Sequence, residues 1–332
     1  MRFIVLTFIL IFSAGAQQRD TIAPISPQLS QALSKGMKNL ASKQEPDGSW
    51  SGSYGKNVGE TSLCLMAFMS MGHLPGEGEY GHVVGKGVHW VIQQAKPSGL
   101  IQFTGGQSKQ APVMYGHALA TLMLSEVWGQ TRREDVGKVL RNAVNLILQV
   151  QGPRGGWGYK SKPEDGDTSV CVMQVFALKS AQDAGIYVPQ ATIQKALNLI
   201  KTRYNGEKKM FGYNSSNITN HLLGSSAAGT CIMQICGEKE KKYTNESLLA
   251  LHEIMKNDLD KSGTGHKSYF LYYASVASFN SGNSFYRPWV QLLEPYLLKK
   301  QKKDGSWGQH FQTAFSILAA SLPFQYIPVY QK

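Results

Sequence analysis

Three copies of one seven-residue phrase punctuate this chain: Gln44-Glu45-Pro46-Asp47-Gly48-Ser49-Trp50, Gln151-Gly152-Pro153-Arg154-Gly155-Gly156-Trp157 and Gln301-Lys302-Lys303-Asp304-Gly305-Ser306-Trp307. They share the pattern Q-x-x-x-G-x-W and begin 151 − 44 = 107 and 301 − 151 = 150 residues apart. Those separations are close to two and three units of about 50 residues, a period that marks an array of supersecondary units. Degenerate copies fall between them, at Pro97-Ser98-Gly99-Leu100-Ile101 and Lys209-Met210-Phe211-Gly212-Tyr213. Gly48, Gly155 and Gly305 suit a tight or left-handed turn. Gln44, Gln151 and Gln301 can hydrogen-bond backbone at a neighbouring helix end, and Trp50, Trp157 and Trp307 can cover a junction between helices.

The flanks of each phrase read as two kinds of helix. Before it come amphipathic stretches (29–42, 81–94, 135–150, 286–300); in the third, Val136, Val139, Leu140, Val144, Ile147 and Leu148 recur at three- and four-residue steps. After it come stretches apolar on nearly every side (61–71, 118–127, 169–181, 222–235, 270–279, 313–322). A helix apolar all round is buried. Each unit is therefore expected to be an outer helix, a Gly-Trp turn and an inner helix. Six inner helices imply six outer ones. The predicted fold is all-α: an (α/α)6 toroid over 28–332, whose closed ring removes the exposed ends of an open solenoid.

Composition narrows the rest. The 332 residues carry 34 Lys+Arg against 22 Asp+Glu, a formal charge of 34 − 22 = +12, and 42% are hydrophobic. A core can form, and wholesale disorder is excluded. Four cysteines are too few for a disulfide scaffold, no C-x-x-C offers a zinc site, and no cofactor is expected. Cys64, Cys171 and Cys231 fall in apolar stretches and should be buried free thiols. Residues 1–16 read as a cleavable signal peptide, with Met1-Arg2, an apolar run and an A-x-A-like end at Ala16, followed by an extension over 17–27. A periplasmic or secreted location is the expectation. Basic runs at 208–209, 238–242 and 299–303 read as solvated loops or as contacts to an anionic envelope surface. No nucleic-acid motif accompanies them. Oligomeric state is left open.

Candidate chemistry lies at the starts of the inner helices. Glu60-Thr61-Ser62-Leu63-Cys64, Asp167-Thr168-Ser169-Val170-Cys171 and Ala227-Ala228-Gly229-Thr230-Cys231 share a pattern, into which His117 and Gln312 also fit. In a ring these positions should converge on one mouth. Glu60, His117 and Asp167 are the candidate catalytic residues; Tyr115, Trp157, Tyr159 and Gln312 are candidate ligand contacts. Helix capping accounts for the same acids equally well. Tyr54, Phe211 and Tyr213 are further aromatic side chains near the turns.

The Q-x-x-x-G-x-W turns, paired helices and repeat period together resemble the squalene cyclase and protein prenyltransferase repeat superfamily. The resemblance spans about 28–325 and is nearest to short exported single-toroid bacterial members. It implies an α/α barrel with a central cavity. Class II terpenoid cyclases in that superfamily protonate an alkene with the middle acid of D-x-D-D-T. Here Pro163-Glu164-Asp165-Gly166-Asp167-Thr168 puts Gly166 in that place. The zinc spacing D-x-C of the prenyltransferases becomes Asp167-x-x-x-Cys171, so no metal is expected. The C-G-E-Q of complement-type thioester domains becomes Cys236-Gly237-Glu238-Lys239, without the Gln that forms the thioester.

The expected function is a non-catalytic binding module with a hydrophobic, isoprenoid-like ligand in the cavity. Two enzyme alternatives stand beside it: a glycan-processing enzyme with an acid pair at the mouth, and a divergent class II cyclase.

Overall fold

A computed structural model describes residues 24–53, 55–106 and 112–327. The leader reading of 1–16 and the aromatic side chain of Tyr54 lie outside these residues. Twelve helices follow in order: α1 (Pro27–Ser42), α2 (Val58–Met69), α3 (Gly81–Gln93), α4 (Val113–Thr131), α5 (Glu134–Gln149), α6 (Thr168–Asp183), α7 (Gln190–Lys201), α8 (Leu223–Ile235), α9 (Asn245–Lys256), α10 (Lys267–Asn280), α11 (Asn283–Lys300) and α12 (His310–Ala320). Two small antiparallel hairpins interrupt them, β1 (Ser51–Gly52) with β2 (Gly55–Lys56), and β3 (Tyr204–Asn205) with β4 (Met210–Phe211).

The even-numbered helices form a closed inner ring: α2 packs on α4, then α6, α8, α10 and α12, and α12 packs back on α2. All twelve residues of α2 are buried. The odd-numbered helices stand outside. In α5 the buried stripe Val136, Leu140, Ala143, Val144 and Ile147 faces the ring, while Lys138, Arg141, Asn142 and Asn145 meet solvent. The fold is the (α/α)6 toroid.

Pairing across the Gly-Trp turn is looser than the repeat phrase suggests. Each outer helix packs mainly on the inner helix before it in the chain: α3 on α2, α5 on α4, α7 on α6, α9 on α8, α11 on α10. The first outer helix among the described residues, α1, packs on the last inner helix, α12. The two ends of the chain thus make one another's missing half-unit. That is how the ring closes.

The repeated phrase is the joint of this assembly. Gln44 Nε2 donates to the carbonyls of Gly48 (3.0 Å) and Val83 (2.9 Å); Gln151 to Gly155 (2.9 Å) and Thr192 (3.0 Å); Gln301 to Gly305 (2.8 Å) and Ala32 (2.7 Å). One amide therefore holds its own turn and the first turns of the next outer helix. Trp50, Trp157 and Trp307 donate from Nε1 to the carbonyls of Leu40, Ile147 and Leu297, in the last turn of the preceding outer helix. Their backbone N–H groups reach the following inner helix, at Thr61 Oγ1, Cys171 Sγ and Thr313 Oγ1. The degenerate turns keep this last bond, from Ile101 to His117 Nδ1 and from Phe211 to Ser226 Oγ.

The glycine is required twice over. Gly48, Gly155 and Gly305 have φ of +97°, +107° and +85°, and a Cβ there would lie 2.5, 2.5 and 2.6 Å from the carbonyl oxygens of Lys86, Lys195 and Lys35 on the next outer helix. Gly305→Ala should therefore destabilise the protein by about 2–3 kcal/mol. Gly206→Ala, at an ordinary φ with nothing within 4 Å, should change it by less than about 0.5 kcal/mol. Urea unfolding of both variants checks the contrast, and equal effects would contradict this account of the joint.

Candidate functional site

All six inner helices run the same way, so their N-terminal ends gather around one mouth. There a cavity of about 450 Å³ opens, lined by the first turns of α2, α4, α6, α8, α10 and α12 and by the loops before them. Its walls are mostly carbon: Leu63, Phe103, Leu119, Met173, Tyr269, Phe311 and Phe315. Deeper along the axis the ring is filled. Phe176 of α6 meets Tyr273 of α10 with ring centroids 6.1 Å apart, and the tilted ring of Tyr269 lies 4.6 Å from that of Tyr273. Both plugging rings are about 1% exposed. The cavity is a blind cup.

Glu60 is the acid that lines it. Asn57 caps α2 through Oδ1, accepting from Glu60 N–H (2.8 Å), and the Glu60 side chain crosses the seam to α12. There its Oε1 accepts from Phe311 N–H at 3.2 Å, with His310 Nδ1 at 3.8 Å. Burial pushes its carboxyl up to about 7, the Phe311 hydrogen bond pulling weakly the other way. On its far side lies a smaller polar pocket at the ring seam, lined among others by Asn39, Lys43, Ser51, Gln309 and His310.

Asp167 sits one step behind the wall. Its Oδ1 caps α6 by accepting from Val170 N–H at 3.1 Å, and its Oδ2 accepts from the Tyr159 hydroxyl. The Tyr159 and Tyr213 hydroxyls meet in turn. Arg203, 3% exposed, braces the strand around Asp167, donating to the Thr168 hydroxyl and the Gly166 carbonyl. Asp167 is thus both a helix cap and the anchor of two tyrosines on the rim. Tyr115 stacks on Tyr159 with centroids 5.7 Å apart. Tyr115, Tyr159 and Tyr213 all line the cup.

The other sequence-predicted residues lie elsewhere. His117 does not reach the mouth: it is fully buried in the wall, four residues into α4, facing α5. Its Nδ1 accepts from Ile101 N–H and its Nε2 donates to the Ala143 carbonyl, both at 3.2 Å. Burial pushes it down to about 4, so the ring is neutral and stands where other units place Thr61 or Thr313. Trp157 is wholly buried at its helix junction. The Gln312 side chain closes a capping box with Gln309 and is absent from the cup's lining. The shared position assumed for Glu60, His117, Asp167, Ala227 and Gln312 separates: Asp167 is the N-cap of α6, Glu60 and Gln312 are the third residues of α2 and α12, and His117 and Ala227 are the fifth residues of α4 and α8. Tyr269, Phe103, Phe311 and Phe315 line the cup without having been singled out in the sequence. No disulfide joins any of the four cysteines, and Cys64, Cys171 and Cys231 are buried. Among the described residues no group of three His, Cys, Asp or Glu side chains is placed to hold a metal ion.

Glu60 makes stability depend on pH with a definite sign. Its folded carboxyl titrates above the unfolded value of 4.5, so between pH 4.5 and 7 the native chain binds the extra proton and loses stability as pH rises. Glu60→Gln keeps an acceptor for Phe311 N–H. It should match the parent near pH 4.5 and exceed it at pH 8 by up to about 3 kcal/mol. Denaturant titrations at the two pH values check this; a difference independent of pH would contradict it.

No protein-family model matches the sequence, and no curated protein matches it either. Solved structures do match in fold. An α-1,6-mannanase of Salegentibacter, in an inactive form bound to α-1,6-mannotriose, is 10% identical, covers 89% of this chain and 98% of its own, and superposes with a TM-score of 0.64. The type II terpene cyclase MstE of Scytonema, bound to geranylgeranyl dihydroxybenzoate, is 11% identical over 91% of this chain and 98% of its own, with a TM-score of 0.59. A protein from Actinoplanes is 12% identical over 89% and 98%, at 0.56. At these identities the likeness is one of fold: this chain is built as those α/α toroids are.

Proposed function

We propose that this protein binds a hydrophobic, isoprenoid-sized molecule in the cup of the toroid. The observation that carries the reading is the cup itself: blind, about 450 Å³, and walled by aromatic and aliphatic side chains with few polar atoms. Binding sites for small molecules have this size and character. The Scytonema cyclase is similar in fold and is bound to a geranylgeranyl compound, which agrees with such a ligand. Reading 1–16 as a cleavable leader puts the encounter in the cell envelope or outside it.

Glycan hydrolysis fits the site less well, despite the fold shared with the mannanase. It needs two carboxyl groups free to act on one bond. Both Asp167 oxygens are engaged, one by the α6 backbone and one by Tyr159. A catalytic reading is supported by one feature only. The Glu60 carboxyl, held near 7 against an apolar cup, has the character of a general acid.

Native mass spectrometry of the full chain, mixed with geranylgeraniol, tests the binding reading. A 1:1 complex with a dissociation constant on the order of 1–10 μM is expected. Leu119→Trp, which fills the cup, should abolish it. A chain that takes up no geranylgeraniol at about 100 μM, or whose Leu119→Trp variant binds as well, would overturn the reading.

A further inference from the structure

The end of the ligand that rests at the mouth can be inferred from what lines it, given that the cup is a binding site at all. We propose that the cup selects a cationic amphiphile, an alkyl or isoprenoid chain ending in an amine or quaternary ammonium, over its anionic counterpart.

Seven aromatic rings line the cavity: Phe103, Tyr115, Tyr159, Tyr213, Tyr269, Phe311 and Phe315. Their faces carry negative quadrupole charge and attract a desolvated cation within about 6 Å. Glu60 is the acid of the lining, and Asp167 stands directly behind Tyr159. No Lys or Arg is among the described lining residues; the basic side chain there is His266, exposed at the rim. Arg203 is absent from the lining and donates to the Gly166 carbonyl and the Thr168 hydroxyl, on either side of Asp167.

Two opposing fields must be weighed. The whole chain is formally +12, which repels cations at long range. That charge lies on a solvated surface and is screened beyond about 8–10 Å. Six helix N-termini also point at the mouth, each worth about half a positive charge. Four of those ends have a first-turn N–H already engaged, while α8 and α10 have no side-chain cap. Asp167 caps α6, Glu60 caps Phe311 of α12, Asn57 caps α2, and Tyr159 carbonyl accepts from Met114 of α4. An anion would find the donors of α2, α4, α6 and α12 engaged, one carboxylate in the wall and a second behind Tyr159. A cation meets aromatic rings and the same two acids. Burial first, and then the Asp167 charge, push the Tyr115 and Tyr269 phenols upward. Tyr213 is raised by burial and by its contact with the same acid.

The test is a matched series on the intact chain at pH 8: dodecyltrimethylammonium, dodecanol and dodecanoate, each below its micellar concentration, titrated by calorimetry. Dodecyltrimethylammonium should bind at least about tenfold more tightly than dodecanol, and dodecanoate most weakly. Dodecanol binding as tightly as the ammonium would overturn the head-group inference and leave the apolar cup standing. Failure of all three to bind would overturn the binding reading beneath it. Asp167→Asn keeps a good helix cap and removes the charge, so the ammonium-to-alcohol ratio should fall at least about fivefold. Tyr115→Leu, which removes a stacked ring without touching any cap, should lower that ratio about threefold. An unchanged ratio in both variants would contradict the assignment.

Discussion

The glutamine amide of the repeat phrase is the interaction on which the ring depends. A helix that follows a Gly-Trp turn has no covalent reason to sit beside the helix of the next unit. Gln44, Gln151 and Gln301 supply one, each holding its own turn with one hydrogen and the next outer helix with the other. Losing the amide would remove two hydrogen bonds at once, one within the turn and one across to the next unit. At Gln301 the same bond spans the chain from end to end, to Ala32. What joins neighbours elsewhere in the ring is, at this point, the closure.

Closure in turn builds the site. Glu60 belongs to α2 and its hydrogen-bond partner Phe311 to α12, so the buried acid exists as described only while the seam is shut. The cup draws on the first turns of all six inner helices and has no floor without the rings that meet across the axis. The result is an aromatic, acid-bearing hollow inside a molecule whose exterior is strongly basic.

Much of this could be read from sequence because the phrase repeats nearly unchanged and because helices buried all round are unmistakable in composition. Those two signals carried the twelve helices, the ring and the place of the mouth. The face that each inner helix turns toward the axis could not be read the same way. In α10, Tyr269, Tyr272 and Tyr273 are equally apolar in pattern, yet only Tyr269 lines the cup. His117 misled for a related reason. It looked like a polar residue at a helix start, but α4 begins earlier than its apolar run, at Val113, which turns His117 into the wall. Where the turn lacks a Trp, its imidazole replaces a threonine hydroxyl as acceptor, and only a register of hydrogen bonds distinguishes that role from a mouth position. Asp167 caps a helix and holds Tyr159 at once, so a sequence pattern that fits capping leaves its second contact unread.

Amide hydrogen exchange on α1 tests ring closure most directly. As an N-terminal helix docked on nothing, α1 would fray and exchange within the free-energy range of mobile termini. Held by Gln301 and packed on α12, the amides of its buried face from Leu33 to Leu40 should exchange as slowly as those of α12, and Gln301→Ala should speed both together. Exchange of α1 that is fast and indifferent to Gln301, while α12 stays protected, would show that the ring is open at its seam.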